Sequence, residues 1–160
     1  MASKRHIIFN LMILTIPWLS LLFMKKKNLK RYLLSSVLIG IFEIINHMYG
    51  RKRKWWKFYD KRKFFVRDEL PFDIGLFIPF SIWMLNLSFG NFKKYLLFNA
   101  ISNGIFAFFF IDVLKKFKIV GLNRLSHFQF FLYYHYKTYI LYALQYLFGK
   151  MNKKKELPLT

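Results

Sequence analysis

Glu43 and His47 stand one helical turn apart inside an otherwise largely apolar run, Tyr32 to Gly50. Holding an ionisable side chain in such a run is costly, so the pair carries a functional hypothesis by default. An acid and an imidazole at this spacing can share a proton, and with further ligands they can hold a cation. Ser36, Gly40, Glu43, His47 and Gly50 recur at intervals of three and four residues, with Asn46 beside them. This small, polar stripe predicts contact with another helix in place of lipid.

Chain parity extends the cluster. If successive apolar runs cross in alternate directions, the second ends, the third begins, the fourth ends and the fifth begins on one side. Asp73, Asp112, His135 and Lys137 then share the half that holds Glu43 and His47, and are expected to converge there, with Asn103 nearer mid-depth. Two of the acids also have simpler roles. Asp73 lies near a helix start, where a carboxylate is favoured and can reach water. Asp112 has Lys115 and Lys116 three and four residues on. The cluster suits proton or ion movement, a lipid head group held by Lys137 and His135, or a divalent cation on Glu43, His47, Asp73 and His135. Without an H-E-x-x-H arrangement the expectation is no metal and no cofactor.

A second chemistry sits between the second and third runs. Arg51, Lys52, Arg53, Lys54, Lys57, Lys61, Arg62, Lys63 and Arg67 are interleaved with Trp55, Trp56, Phe58, Tyr59, Phe64 and Phe65. Each cation near an anionic leaflet gains about 1 kcal/mol, and Trp and Tyr settle at head-group depth. Arg51, Lys52, Arg53, Lys54, Trp55, Trp56, Lys57, Lys61, Arg62, Lys63 and Arg67 are therefore expected to engage anionic membrane lipid, or at least to fix orientation.

The chain that must position these groups has 160 residues, is 56% hydrophobic and carries a formal charge of +20. So much apolar surface exceeds what a soluble domain of this size can hide, whereas a membrane accepts it. The charge falls in short runs between apolar segments, the juxtamembrane pattern, which disfavours nucleic acid as the main partner. Cysteine is absent, which excludes disulfides and thiolate chemistry. Heavy use of Lys, Ile, Phe, Asn and Tyr hints at an AT-rich bacterial source.

The expected fold is a single all-α membrane domain over 1–150 with a basic polar tail at 151–160. Its five helices lie at about 7–24, 32–50, 70–90, 95–114 and 128–149. The first four are expected to span. The fifth spans or lies in the interface, and its face of His135, Tyr139, Tyr142 and Tyr146 is placed toward the bundle or the head groups. Lys4, Arg5 and His6 precede the first run as in a signal peptide, but no small-residue cleavage site follows, so it reads as an uncleaved anchor. The side holding the N-terminus, the 51–69 loop and 115–127 has the excess of Lys and Arg, which predicts that side to be cytoplasmic. That excess is larger if the fifth helix does not span.

The segments Glu43-Ile44-Ile45-Asn46-His47, Trp55-Trp56-Lys57-Phe58-Tyr59-Asp60 and Pro71-Phe72-Asp73 resemble those of small multi-pass membrane proteins from spore-forming, low-GC Gram-positive bacteria. The resemblance extends over about 30–150 and implies four or five helices without implying an activity. The leading expectation is a non-enzymatic protein of the cell membrane that engages anionic lipid and has a buried polar site at Glu43/His47. A membrane-protein partner or a second copy of the chain is a further expected partner. The alternatives are a small transporter or proton-coupled permease component, and a membrane enzyme acting on a lipid or polyprenyl substrate.

Overall fold

The computed structural model of the chain describes residues 4–59 and 68–156, with side chains as far as Met151. They form five principal helices: α1 (Lys4–Phe23), α2 (Lys26–Lys52), α3 (Phe72–Ser88), α4 (Phe92–Lys116) and α5 (His127–Glu156). Among the described residues there are also two short strands, β1 (Trp56–Phe58) and β2 (Val120–Leu122). The protein is thus an all-α membrane helix bundle, and each expected apolar segment corresponds to one helix. Among the described residues, α1, α2 and α4 are long and apolar enough to cross a membrane, while α3 is a shorter apolar helix. Their outward faces carry large apolar side chains such as Ile7, Leu11, Leu34, Ile45, Leu97 and Phe109. The fifth helix runs past the expected boundary at 149 into the basic tail, because Lys and Glu are good helix formers and no proline intervenes before Pro158.

Two prolines shape the contact of α1 with α3. Pro17 has no N–H for the Ile13 carbonyl, and Gly75 of α3 lies so close that a Cβ there would stand 2.3 Å from that oxygen. In α3, residues Phe72–Phe77 form a π-helical turn in which the Ile78 N–H reaches the Asp73 carbonyl. The next donor in that pattern would be Pro79, which has none, and the Trp18 indole donates to the Ile74 carbonyl at 2.9 Å. A second π turn, Phe106–Phe110, interrupts α4.

Helices α2 and α4 leave the bundle in the same way. Lys54 and Lys118 both adopt left-handed backbone, with φ of 55° and 52°. Around each, paired backbone bonds close the helix end: Lys54 to Arg51 and Trp55 to Gly50, then Lys118 to Lys115 and Ile119 to Leu114. The strands that follow pair antiparallel, Trp56 with Leu122 and Phe58 with Val120. This small sheet lies over one apolar cluster containing Trp56, Phe58, Phe72, Ile111, Phe130 and Tyr133. A second cluster, with Tyr32, Ile39, Ile78, Leu85, Tyr95 and Leu141, fills the rest of the bundle.

Candidate functional site

Four ionisable side chains meet where these two clusters join. The expected stripe of α2 faces inward, and Ser36, Gly40, Glu43, His47 and Gly50 are all buried. Gly40 admits Ile78 of α3 and Gly50 admits the Trp56 ring, each closer than a Cβ would allow. His47 is held between two carboxylates: its Nε2 is 3.3 Å from Glu43, and its Nδ1 pairs with Asp73 of α3. The Lys137 ammonium of α5 pairs with the other oxygen of Glu43. Glu43, Asp73 and Lys137 are essentially inaccessible to solvent.

The donor inventory defines the charge state this geometry favours. A neutral imidazole has one N–H, whereas a protonated one offers a donor to each carboxylate. With His47 and Lys137 cationic and Glu43 and Asp73 anionic, four charges cancel inside the bundle, the condition under which buried charge is tolerated. Aromatic rings complete the enclosure. Lys137 Nζ lies 3.2 Å from the Tyr133 ring centre, His47 stacks on Tyr133, and the Trp56 ring meets His47 edge-on at 5.0 Å between centroids. Glu43, His47 and Asp73 each offer one ligand atom, all within 4.8 Å of one another, but Lys137 already occupies Glu43 with its own charge.

Of the seven residues expected to cluster, Glu43, His47, Asp73 and Lys137 do so, while Asn46, Asp112 and His135 stand apart. Asn46 lies at the outer edge, accepting from the Tyr136 hydroxyl at 3.1 Å. Asp112 is half exposed and pairs with His127 at 3.1 Å, in place of the expected Lys115 or Lys116. His135 packs between the Phe131 and Tyr139 rings. Asp73 departs from expectation in the opposite sense: the π turn carries it into the interior and onto His47, where it does not reach water. The fifth helix presents a different face from the one expected. Phe130, Tyr133, Lys137, Leu141 and Gln145 are buried, while Tyr139 and Tyr146 are about half exposed. The polar groups of the buried face have partners across the bundle, with Lys137 on Glu43 and Gln145 accepting from Ser35 at 2.5 Å.

The basic loop is only partly a surface feature. Lys52, Arg53, Lys54 and Lys57 are exposed and Trp55 is half-buried, but Trp56 is drawn away from its expected head-group position into the core. Its indole donates to Glu69 at 3.4 Å, and Arg51 pairs with the same carboxylate at 2.9 Å. Burial pushes the Glu69 carboxyl above its usual range, opposed by Arg51 and by the Trp56 hydrogen bond. Lys61, Arg62, Lys63 and Arg67 lie outside the described residues. The pairing of β1 with β2 also brings Lys115, Lys116, Lys118 and Arg124, all exposed, to the same end as Lys52–Lys57.

Sequence reasoning passed over Asp68 and Glu69, which are buried beside this end, and His6, which lies 3.6 Å from Asp68. Their signal was available: two acids directly after a run of cations and just before a helix-starting proline. It also missed a cavity of about 330 Å³ between α3 and α4, whose walls are chiefly Phe72, Phe77, Phe80, Phe106, Phe110 and Tyr134. Asp73, Ser102 and Asn103 are further lining residues. Comparison with models of known protein families, with curated proteins and with solved structures finds no match.

Proposed function

We propose that the chain is a non-enzymatic, multi-pass protein of the cell membrane that engages anionic lipid through the basic end of its bundle. The observation that supports this most strongly is the β1–β2 pairing, which unites two separate basic segments on one face. Lys52, Arg53, Lys54 and Lys57 contribute from one side of the sheet and Lys115, Lys116, Lys118 and Arg124 from the other. Exposed cations at one end of an apolar bundle gain energy from phosphate head groups, and the positive-inside tendency orients that end toward the cytoplasm. In this reading the Glu43–His47–Asp73–Lys137 quartet is an interior clamp that fixes α2, α3 and α5 beneath the basic face. The ammonium on Glu43 favours the clamp over a site that releases a proton on each cycle.

Spin-labelled phosphatidylglycerol and phosphatidylcholine, compared in vesicles containing both lipids, test the proposal. The protein should enrich phosphatidylglycerol in its boundary lipid at low salt. Replacing Lys52, Arg53, Lys54 and Lys57 by Gln should clearly weaken that preference, while Glu43→Gln should retain it. Equal preference in the protein and its fourfold variant would overturn the reading.

A further inference from the structure

The basic end of the bundle is not a uniform charged surface. A second cavity, of about 350 Å³, lies there, and Arg51, Lys54, Lys57 and Asn123 line it beside Trp56 and Phe58. That volume falls within the ordinary range of small-molecule sites, roughly 300–1,000 Å³. Lys54, Lys57 and Asn123 are exposed and the Arg51 side chain is 32% exposed, so an occupant can reach their polar groups. Asp68 and Glu69 also border the space but are almost wholly buried, and Glu69 is engaged by Arg51 and the Trp56 indole. What the cavity presents is therefore cationic.

Its charge count defines the occupant. Among the described residues no carboxylate pairs with Lys54 or Lys57, and the Lys57 ammonium stands 5.6 Å from the centre of the Tyr59 ring. Two uncompensated ammonium groups on one cavity match a group that carries two negative charges. A phosphomonoester carries close to two near neutral pH, whereas a phosphodiester carries one. Lys54 is also fixed where it stands. Its left-handed backbone takes the helix-ending position that glycine usually fills, and Asn123 Nδ2 donates to its carbonyl at 2.9 Å. Such strained positions persist where the surroundings hold them, and they recur at ligand clamps. We infer that this cavity holds one phosphomonoester group, as in the head group of phosphatidic acid, on Lys54 and Lys57 with Arg51 beside them. The inference rests on the anionic-lipid reading and narrows it to one site and one head group.

Native mass spectrometry of the full chain in detergent, offered equal amounts of phosphatidic acid, phosphatidylglycerol and phosphatidylcholine, tests it. The first lipid bound should be phosphatidic acid, about fivefold ahead of phosphatidylglycerol, the scale of one further charge meeting a cation. Lys118 supplies the control, since it has the same charge and left-handed backbone as Lys54 but does not line the cavity. Lys54→Gly should bring the ratio of phosphatidic acid to phosphatidylglycerol close to one, while Lys118→Gly should keep it. Displacement of the bound lipid by excess glycerol 3-phosphate would show that the cavity takes the group from solution as well; retention would show that it takes the group from lipid.

Equal binding of the two anionic lipids, both above phosphatidylcholine, would overturn this inference and leave the broader reading standing. Equal binding of all three would overturn both. A ratio lowered as far by Lys118→Gly as by Lys54→Gly would also overturn it. Should Lys54→Gly fail to fold, the comparison of the two anionic lipids on the unaltered chain decides alone.

Discussion

The Lys137 ammonium closes on the Glu43 carboxylate where neither side chain reaches solvent, tying α5 to α2. Because Glu43 also faces His47, and His47 faces Asp73, this one contact links the last helix to the second and, through them, to the third.

Removing one end of that contact leaves a buried charge uncompensated. Lys137→Met should destabilise the bundle by about 3–5 kcal/mol, whereas Lys137→Met combined with Glu43→Gln should recover much of the loss. Thermal unfolding of the detergent-solubilised protein, run on both single variants and the double, measures the coupling.

The Trp18 indole and Pro79 form a second coupled pair. Trp18→Phe leaves the Ile74 carbonyl without its donor and should cost about 1 kcal/mol. Pro79→Ala supplies a backbone N–H, so the same Trp18→Phe change should cost markedly less in that background. A double-mutant cycle that shows no coupling would mean that another donor serves the Ile74 oxygen.

Two glycines should respond oppositely to one added methyl. A Cβ at Gly75 meets the Ile13 backbone oxygen, which has no room to move, and Gly75→Ala should cost about 1–3 kcal/mol through overpacking. At Gly104 a Cβ meets open space, so Gly104→Ala should be neutral or stabilise α4 by up to roughly 1 kcal/mol. Midpoints of thermal unfolding decide both.

Glu69 should make stability depend on pH. Its folded-state carboxyl titrates above the ordinary value of 4.5, chiefly through burial. The stability it contributes is therefore fully present below that ordinary value and is lost as pH rises through the raised one. Between about pH 4 and about pH 7, the unfolding midpoint of the unaltered protein should fall relative to that of Glu69→Gln, whose amide still accepts from Arg51 and Trp56. A constant difference between the two across that range would contradict the assignment.

The sequence by itself determined the solvent and the class of structure. Apolar runs near membrane length force an all-α membrane bundle, since a chain in lipid must satisfy its own backbone. The three- and four-residue spacing of Ser36, Gly40, Glu43, His47 and Gly50 likewise sufficed to turn that face of α2 inward. Parity placed Asp73 and Lys137 at the right depth, but it is blind to rotation about a helix axis. It therefore grouped Asp112 and His135 with them, though both point elsewhere.

Only the tertiary structure decided rotation and irregularity. Which face of α5 is buried follows from partners on other helices, Glu43 for Lys137 and Ser35 for Gln145, and no local period encodes them. The π turn that carries Asp73 inward, and the matching turn that opens the cavity beside it, depend on how α3 packs against α1 and α4. The β1–β2 pairing joins segments far apart in the chain, and it alone converted an expected surface tryptophan, Trp56, into a core residue against His47. Local pattern fixed what each segment is, because hydrophobic period is a property of neighbours in sequence. Long-range contact fixed which charges meet, because a buried charge settles only where another helix brings its partner.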